Sequence, residues 1–284
     1  DKSIFGHYET AWCPGCGNFG ILDALKEALA ELGKEPHEVL ICSGIGQAAK
    51  LPQYIKVNGF NGLHGRALPP AFGAKIANHD LTVIVSSGDG DSYGEGGNHF
   101  LHNIRRNVDI AHFVHNNQIY GLTKGQASPT TDLGHPAGFL REGVINEPFN
   151  PVLVALSAGA GFVARSFSGA KTHLKEMMKA AILYKGYALV DILQPCVSFN
   201  KVNTYSYYRE RIYELDESHD PGDFMQAIKK AMEWGDRIPI GIIYKREPPR
   251  PAYHEHFPFL RDGKPLVDRS LNPKDAEAFM EDFF

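Results

Sequence analysis

An aspartate, an asparagine and four cysteines carry most of the chemistry that this sequence can do. Gly88-Asp89-Gly90-Asp91 follows a β-branched run at 81–87, and Asn116-Asn117 follows a second apolar run at 110–114. Both runs are short, apolar and closed by turn residues, so both read as buried strands. Between them, residues 94–107 carry Phe100, Leu101 and Ile104 at helical spacing. A strand–helix–strand unit with short joints makes its strands parallel and brings their C-terminal ends to one sheet edge. Asp89 and Asn117, 28 positions apart, then become neighbours. A carboxylate and an amide oxygen at a glycine-lined edge suit a diphosphate-bound Mg2+, which takes hard oxygen ligands from a few side chains and from phosphate. Glycines also let backbone N–H groups approach the diphosphate. Gly-Asp-Gly alone is a common turn. Its pairing with Asn117 inside a βαβ unit is what points to a metal site.

The cysteines are Cys13, Cys16, Cys42 and Cys196. Cys13-Pro14-Gly15-Cys16 is a C-x-x-C motif whose Pro-Gly turn aims two sulfurs at one point. No signal peptide and no membrane-length apolar run is apparent, so the expected compartment is the cytoplasm. Close thiols in a reducing compartment mean metal or redox chemistry more often than a structural disulfide. Four thiolates suit structural Zn2+, in a zinc-binding interaction module, or a [4Fe–4S] cluster. Isolated Cys42 and Cys196 lack the spacing of a second zinc-ribbon pair, which favours the cluster.

The elements that must position these groups alternate along the chain. Asn18 is placed to cap a helix running to about residue 32, stopped by Gly33. A strand at 39–42 follows, then a helix at 67–76 and the βαβ unit. Next come a strand at 161–165, a helix at 170–184, a strand at 188–193, a helix at 222–234 and a strand at 238–244. Such alternation implies an α/β fold with a doubly wound, mostly parallel sheet and ligands beyond the strand C-termini. Cys42, Gly88, Asn117 and Cys196 all fall at or just after strand ends, so the sulfurs and the diphosphate site belong to one edge. Arg105-Arg106 suits a helix C-terminus, where cations are favoured. From Glu247 the pattern breaks into Pro248, Pro249, Pro251, Pro258 and Pro265, an extended arm suited to a partner subunit. The expected division is 1–210 for the cofactor-binding domain and 211–284 for a helix, a strand and this arm. The 284 residues are 43% hydrophobic and 22% charged, ordinary for a globular chain. A net charge of −4 argues against nucleic acid as the main partner.

Several motifs occur in one order: Trp12-Cys13-Pro14-Gly15-Cys16-Gly17, Gly44-Ile45-Gly46, His64-Gly65-Arg66-Ala67, Gly88 to Asp91, Asn98-His99 with Arg105-Arg106-Asn107, and Asn117 to Gln126. Together they resemble the β subunit of 2-oxoacid:ferredoxin oxidoreductases, most of all the 2-oxoglutarate type, over roughly residues 8–200. The resemblance implies the diphosphate-binding half of a thiamine diphosphate fold. It implies Asp89, Asn117 and the Ile119 carbonyl as Mg2+ ligands. Ile45, Gly46, Gln47, His64, Gly88, Gly90, Asp91, Gly121, Leu122 and Thr123 would complete the cofactor site. Lys50 and His64 would serve catalysis, and Lys50, Leu122 and Lys124 would meet CoA or substrate.

The implied reaction joins a 2-oxoacid, CoA and oxidised ferredoxin to give acyl-CoA, CO2 and reduced ferredoxin. Its chemistry is the cofactors'. 2-Oxoglutarate is the expected substrate, with Lys50 as partner for its distal carboxylate; pyruvate or another 2-oxoacid is the alternative. An α subunit, in an αβ or (αβ)2 assembly, would supply the aminopyrimidine half of the site. The sequence departs from the family at one place. Gln47 stands where the third cluster cysteine usually follows Gly-Ile-Gly, and Cys42 is expected to replace it.

Overall fold

Residues 83–87 and 111–116 are buried at every position, and strands of that kind are covered on both faces. The structure, a computed structural model, describes residues 1–137, 140, 142–260, 262–270 and 273–281. Its strands are β1 (Val39–Ser43), β2 (Asn58–Asn61), β3 (Thr82–Gly88), β4 (Ala111–Asn116), β5 (Ile119–Tyr120), β6 (Gln126–Ala127), β7 (Phe162–Phe167), β8 (Ala188–Leu193), β9 (Ile212–Glu214) and β10 (Ile238–Lys245). Eight of them form one sheet in the order β2-β1-β3-β4-β8-β7-β10-β9. The first six in that order run parallel, and β10 lies antiparallel to β7. The expected doubly wound sheet is therefore present.

The helices are α1 (Asn18–Glu31), α2 (Leu68–Ala77), α3 (Gly97–Arg106), α4 (Pro151–Ser157), α5 (Lys171–Leu183), α6 (Tyr205–Arg211), α7 (Phe224–Met232) and α8 (Pro273–Glu281). α1 and α5 pack together on one face of the sheet, where Ile21, Leu25, Leu29, Leu174 and Met178 meet Ile41, Ile84 and Phe113. α2, α3, α4 and α7 cover the other face over Cys42, Val83, Val85 and Val114. Each fully buried Leu or Ile contributes ~1.5–3 kcal/mol. Gly33 ends α1 at φ 66°, and Lys34 N–H closes the turn on the Leu29 carbonyl at 3.0 Å. Asn18 does not cap α1. It lies inside the first turn, and its Oδ1 is 2.8 Å from His115 Nδ1 under the sheet edge.

The strand expected at 238–244 is β10, which extends the sheet antiparallel beside β7, and β9 closes the edge. One expectation, the extended arm, changes. The segment after Glu247 holds short 3₁₀ turns followed by α8, and Asn107 Nδ2 ties its start to the body by donating to the carbonyls of Arg250 and Pro251. Residues 261, 271, 272 and 282–284 of the expected arm lie outside the described residues.

Candidate active site at the carboxyl edge of the sheet

Parallel pairing puts Ser43, Gly88, Asn116 and Leu193 at one edge. One cavity there is lined by Ile45, Gly46, Gln47, Ala48, His64, Gly88, Asp89, Gly90, Asp91, Asn117 and the 119–123 turn. All thirteen residues expected at the cofactor line it, among them Ile45, Gly46, Gln47, His64, Gly88, Asp89, Gly90, Asp91, Asn117, Ile119 and Gly121. Leu122 and Thr123 complete the rim. Lys50 and Lys124 are not among the lining residues.

Asp89 is 1% exposed. Its Oδ2 accepts from Ser128 Oγ at 2.5 Å and Thr130 Oγ1 at 2.7 Å. Its Oδ1 accepts only from Asn117 N–H, at 3.4 Å. Burial pushes the carboxyl up to about 6 against these hydrogen bonds. A buried carboxylate that lines a cavity suits a hard cation. Asn117 turns its Oδ1 back toward Ile119 N–H, at 3.0 Å. This brings the groups expected to hold Mg2+ onto one turn beside Asp89, and their types fit that ion.

Asp91 does different work. Its Oδ1 accepts from Gly65 N–H at 2.7 Å and Ile45 N–H at 3.1 Å, and His64 Nδ1 lies 3.1 Å away. It therefore ties together the loops after β1 and β2. Gly44 is required there, because a Cβ would sit 2.1 Å from Asp91 Oδ2. Gly90 likewise has no room: a Cβ would lie 2.2 Å from the Tyr120 ring. So the Gly90 requirement comes from ring packing, not only from access to a diphosphate.

A second cavity adjoins the first. It is lined by Trp12, Cys13, Cys16, Asn18, Gln194 and Cys196, and it shares Gln47, Asn117 and Gly121 with the first. Gly15, at φ 79°, makes the expected turn, closed by Cys16 N–H on the Cys13 carbonyl at 3.0 Å. Ser198 Oγ donates to Cys13 Sγ at 3.0 Å, and Gln194 Nε2 to Cys16 Sγ at 3.5 Å. Burial raises the Cys16 thiol to about 11 in the absence of a metal. Among the described residues, no group of three or more His, Cys, Asp or Glu side chains is arranged to hold a metal ion.

The expectation that Cys42 completes this set is corrected. Cys42 is fully buried in β1 and belongs to the core with Leu68, Val83 and Val85. Side chains alternate across a strand. Ile41 faces the layer against which Cys16 packs, and Cys42 faces the opposite one. Burial among apolar groups pushes its thiol up to about 12. The residues therefore do not fit a four-thiolate cluster; three cysteines and Gln47 share the cavity.

Sequence reasoning missed the support behind Asp89. Thr130 Oγ1 also donates to Asn116 Oδ1 at 2.9 Å, and Asn116 Nδ2 donates to Asp191 Oδ1 at 3.1 Å. Tyr93 OH reaches the same oxygen at 3.0 Å, and Arg165 Nε lies 3.7 Å from Asp191 Oδ2. Burial lowers Arg165 and raises Asp191, each opposed by its partner. The one available signal was a charge inside each of two apolar strands.

Comparison with known proteins agrees with this geometry. A family model described as "Thiamine pyrophosphate enzyme, C-terminal TPP binding domain" matches residues 42–192. Another, for the C-terminal part of the pyruvate ferredoxin oxidoreductase beta subunit, matches residues 196–262. The chain is 50% identical over 249 residues to a 2-oxoacid:ferredoxin oxidoreductase subunit beta of Saccharolobus solfataricus, covering 83% of this chain and 82% of that one. It is 37% identical over 219 residues to the 2-oxoglutarate synthase subunit KorB of Methanocaldococcus jannaschii, covering 77% of each. Its fold is similar to that of 2-oxoglutarate:ferredoxin oxidoreductase from Magnetococcus marinus, solved with 2-oxoglutarate, coenzyme A and succinyl-CoA bound. The TM-score is 0.91 at 35% identity, over 98% of this chain and 94% of that one. A thiamine pyrophosphate domain over the 42–192 sheet edge, and relatives of this identity along most of the chain, make it a member of the 2-oxoacid:ferredoxin oxidoreductase β subunits.

Proposed function

We propose that the chain carries the diphosphate half of a thiamine diphosphate site and, beside it, an iron–sulfur cluster. In this reading it works with an α subunit to convert a 2-oxoacid and CoA into acyl-CoA and CO2, reducing ferredoxin in a cytoplasmic setting. The observation that carries the reading is the common wall of Gln47, Asn117 and Gly121 between the two cavities. A Cβ on Gly121 would lie 3.8 Å from Cys196 Sγ and 4.0 Å from Asn117 Nδ2, so no side chain separates them there. Bound in this place, thiamine diphosphate would stabilise the carbanion left by decarboxylation, and a cluster would accept electrons singly.

The chain's own residues prepare both places. Asp89, Asn117 and the Ile119 carbonyl would hold Mg2+, with Ser128 and Thr130 fixing the Asp89 carboxylate from behind. Asp91 would keep His64 and the 44–46 loop against the diphosphate. The three cysteines line one cavity beside the proposed cofactor site, where a redox cluster rather than a structural zinc would have a use.

2-Oxoglutarate is the substrate we favour. The names of the KorB relatives and the ligands of the Magnetococcus structure support it. Lys50 follows Gln47 by three residues on the 3₁₀ segment Ala48–Tyr54, where an ammonium could meet a distal carboxylate once substrate and α subunit are present. Lys50→Ala in the αβ complex should lower kcat/KM for 2-oxoglutarate by about ten- to a hundredfold, at roughly 1.4 kcal/mol per decade. Turnover of pyruvate should barely change. Equal losses on the two substrates would refute the role of Lys50 in choosing the dicarboxylate.

A further inference from the structure

We infer that the cluster site of this chain has three thiolates, from Cys13, Cys16 and Cys196, and that its fourth corner is the side-chain oxygen of Gln47. The inference rests on reading the chain as a cluster-bearing β subunit. It goes beyond that reading by assigning an oxygen ligand to one iron. Three observations carry it. Gln47 lines the cavity that the three cysteines line. Gln47 Oε1 is buried and has no hydrogen-bond partner. Leaving a buried amide oxygen unpaired is costly, so the Gln47 oxygen points to a group that it meets when the site is filled.

The third observation is that the backbone of Gln47 is held for the purpose. Trp12 Nε1 donates to its carbonyl at 2.8 Å. Gly46, at φ 129°, makes the turn that brings it to the cavity from the end of β1. Cys42, the remaining cysteine, lies on the other face of the sheet. It cannot reach this cavity unless β1 slips by one residue, which would turn Ile41 out of its own core.

An amide oxygen is a neutral, harder ligand than thiolate, so the fourth iron is the weakly held one. One-electron oxidation should release it. Were a cluster held here by Cys13, Cys16, Cys196 and the Gln47 oxygen, loss of one electron from [4Fe–4S]2+ to ferricyanide would let the Gln47-bound iron leave as Fe2+, with [3Fe–4S]+ remaining on the three cysteines. With one negative charge fewer around it, the intact cluster should also have a higher reduction potential than a four-thiolate one.

The test uses the αβ complex purified without oxygen. Wild type, Gln47→Cys, Gln47→Ala and Cys42→Ala are titrated with ferricyanide while released iron and electron paramagnetic resonance are followed. Wild type should release about one iron in four and develop a [3Fe–4S]+ signal. Gln47→Cys should keep its iron under the same oxidation and shift to a lower potential. Gln47→Ala should lose the iron with less oxidant than wild type. Cys42→Ala should match wild type throughout. Wild type resisting ferricyanide as well as Gln47→Cys does would overturn the inference, as would loss of the cluster in Cys42→Ala. A complex that makes CO2 from a 2-oxoacid but contains no iron would instead overturn the cluster reading on which it rests.

Discussion

At the scale of single residues, the two carboxylates of the glycine-rich motif hold different partners. Asp89, which lines the cavity, spends one carboxylate oxygen on Ser128 and Thr130 and the other on the Asn117 N–H. Asp91, two residues on, spends Oδ1 on the backbone of Ile45 and Gly65, while its buried Oδ2 has no hydrogen-bond partner. The sequence motif could not tell these two apart. Asp89→Ala should abolish retention of thiamine diphosphate and leave the iron content unchanged. Thr130→Val separates holding the carboxylate from binding the metal. It strands Asp89 Oδ2 and Asn116 Oδ1 with one donor fewer each, at about 1–3 kcal/mol. Binding of Mg2+–thiamine diphosphate, followed by tryptophan fluorescence or calorimetry, should weaken by about five- to a hundredfold on that scale. Unchanged affinity in Thr130→Val would show that the support is idle. Thr130 was illegible in the sequence because Ser128-Pro129-Thr130-Thr131 reads as any polar loop, and only the fold brings it to Asp89.

At the scale of elements, strand parity separates what was legible from what was not. The βαβ unit of β3, α3 and β4 follows from apolar run lengths and a helical period, and it brings Asp89 and Asn117 together as expected. The same parity argument, applied to β1, removes Cys42 from the edge. It sits one position away from the face that would have served. β2 was not foreseen because Asn58–Asn61 has neither alternation nor an apolar run; it is held at the edge by pairing with β1. Two central strands also hide a charge each. Arg165 and Asp191 are register partners on β7 and β8, both 1% exposed. Removing one buried partner leaves a naked charge, whereas removing both need not. Asp191→Leu should therefore destabilise the chain by about 3–5 kcal/mol in urea unfolding, and Arg165→Met added to it should recover most of that loss. Additive losses in the double variant would mean that the two side chains do not act as a pair.

At the scale of the whole molecule, the proposed function makes the sheet edge half of a site. Leu63, beside His64, is 76% exposed, and Leu122 on the cavity rim is 46% exposed. Apolar groups left open around a cofactor cavity suit a surface buried by a second protein chain. The sequence made this half-site legible through what it contains: a diphosphate motif, a cysteine pocket and no second thiamine-binding unit. The central claim is that this chain supplies the diphosphate and electron-exit side of a reaction completed by an α subunit. The most direct test is release of labelled CO2 from carboxyl-labelled 2-oxoglutarate, measured without oxygen for the chain alone and for the αβ complex, with CoA and ferredoxin. The account predicts background release from the chain alone. The complex should give CoA-dependent release, with two ferredoxins reduced per CO2 because each takes one electron. Appreciable turnover by the chain alone, or release from the complex without ferredoxin reduction, would contradict it.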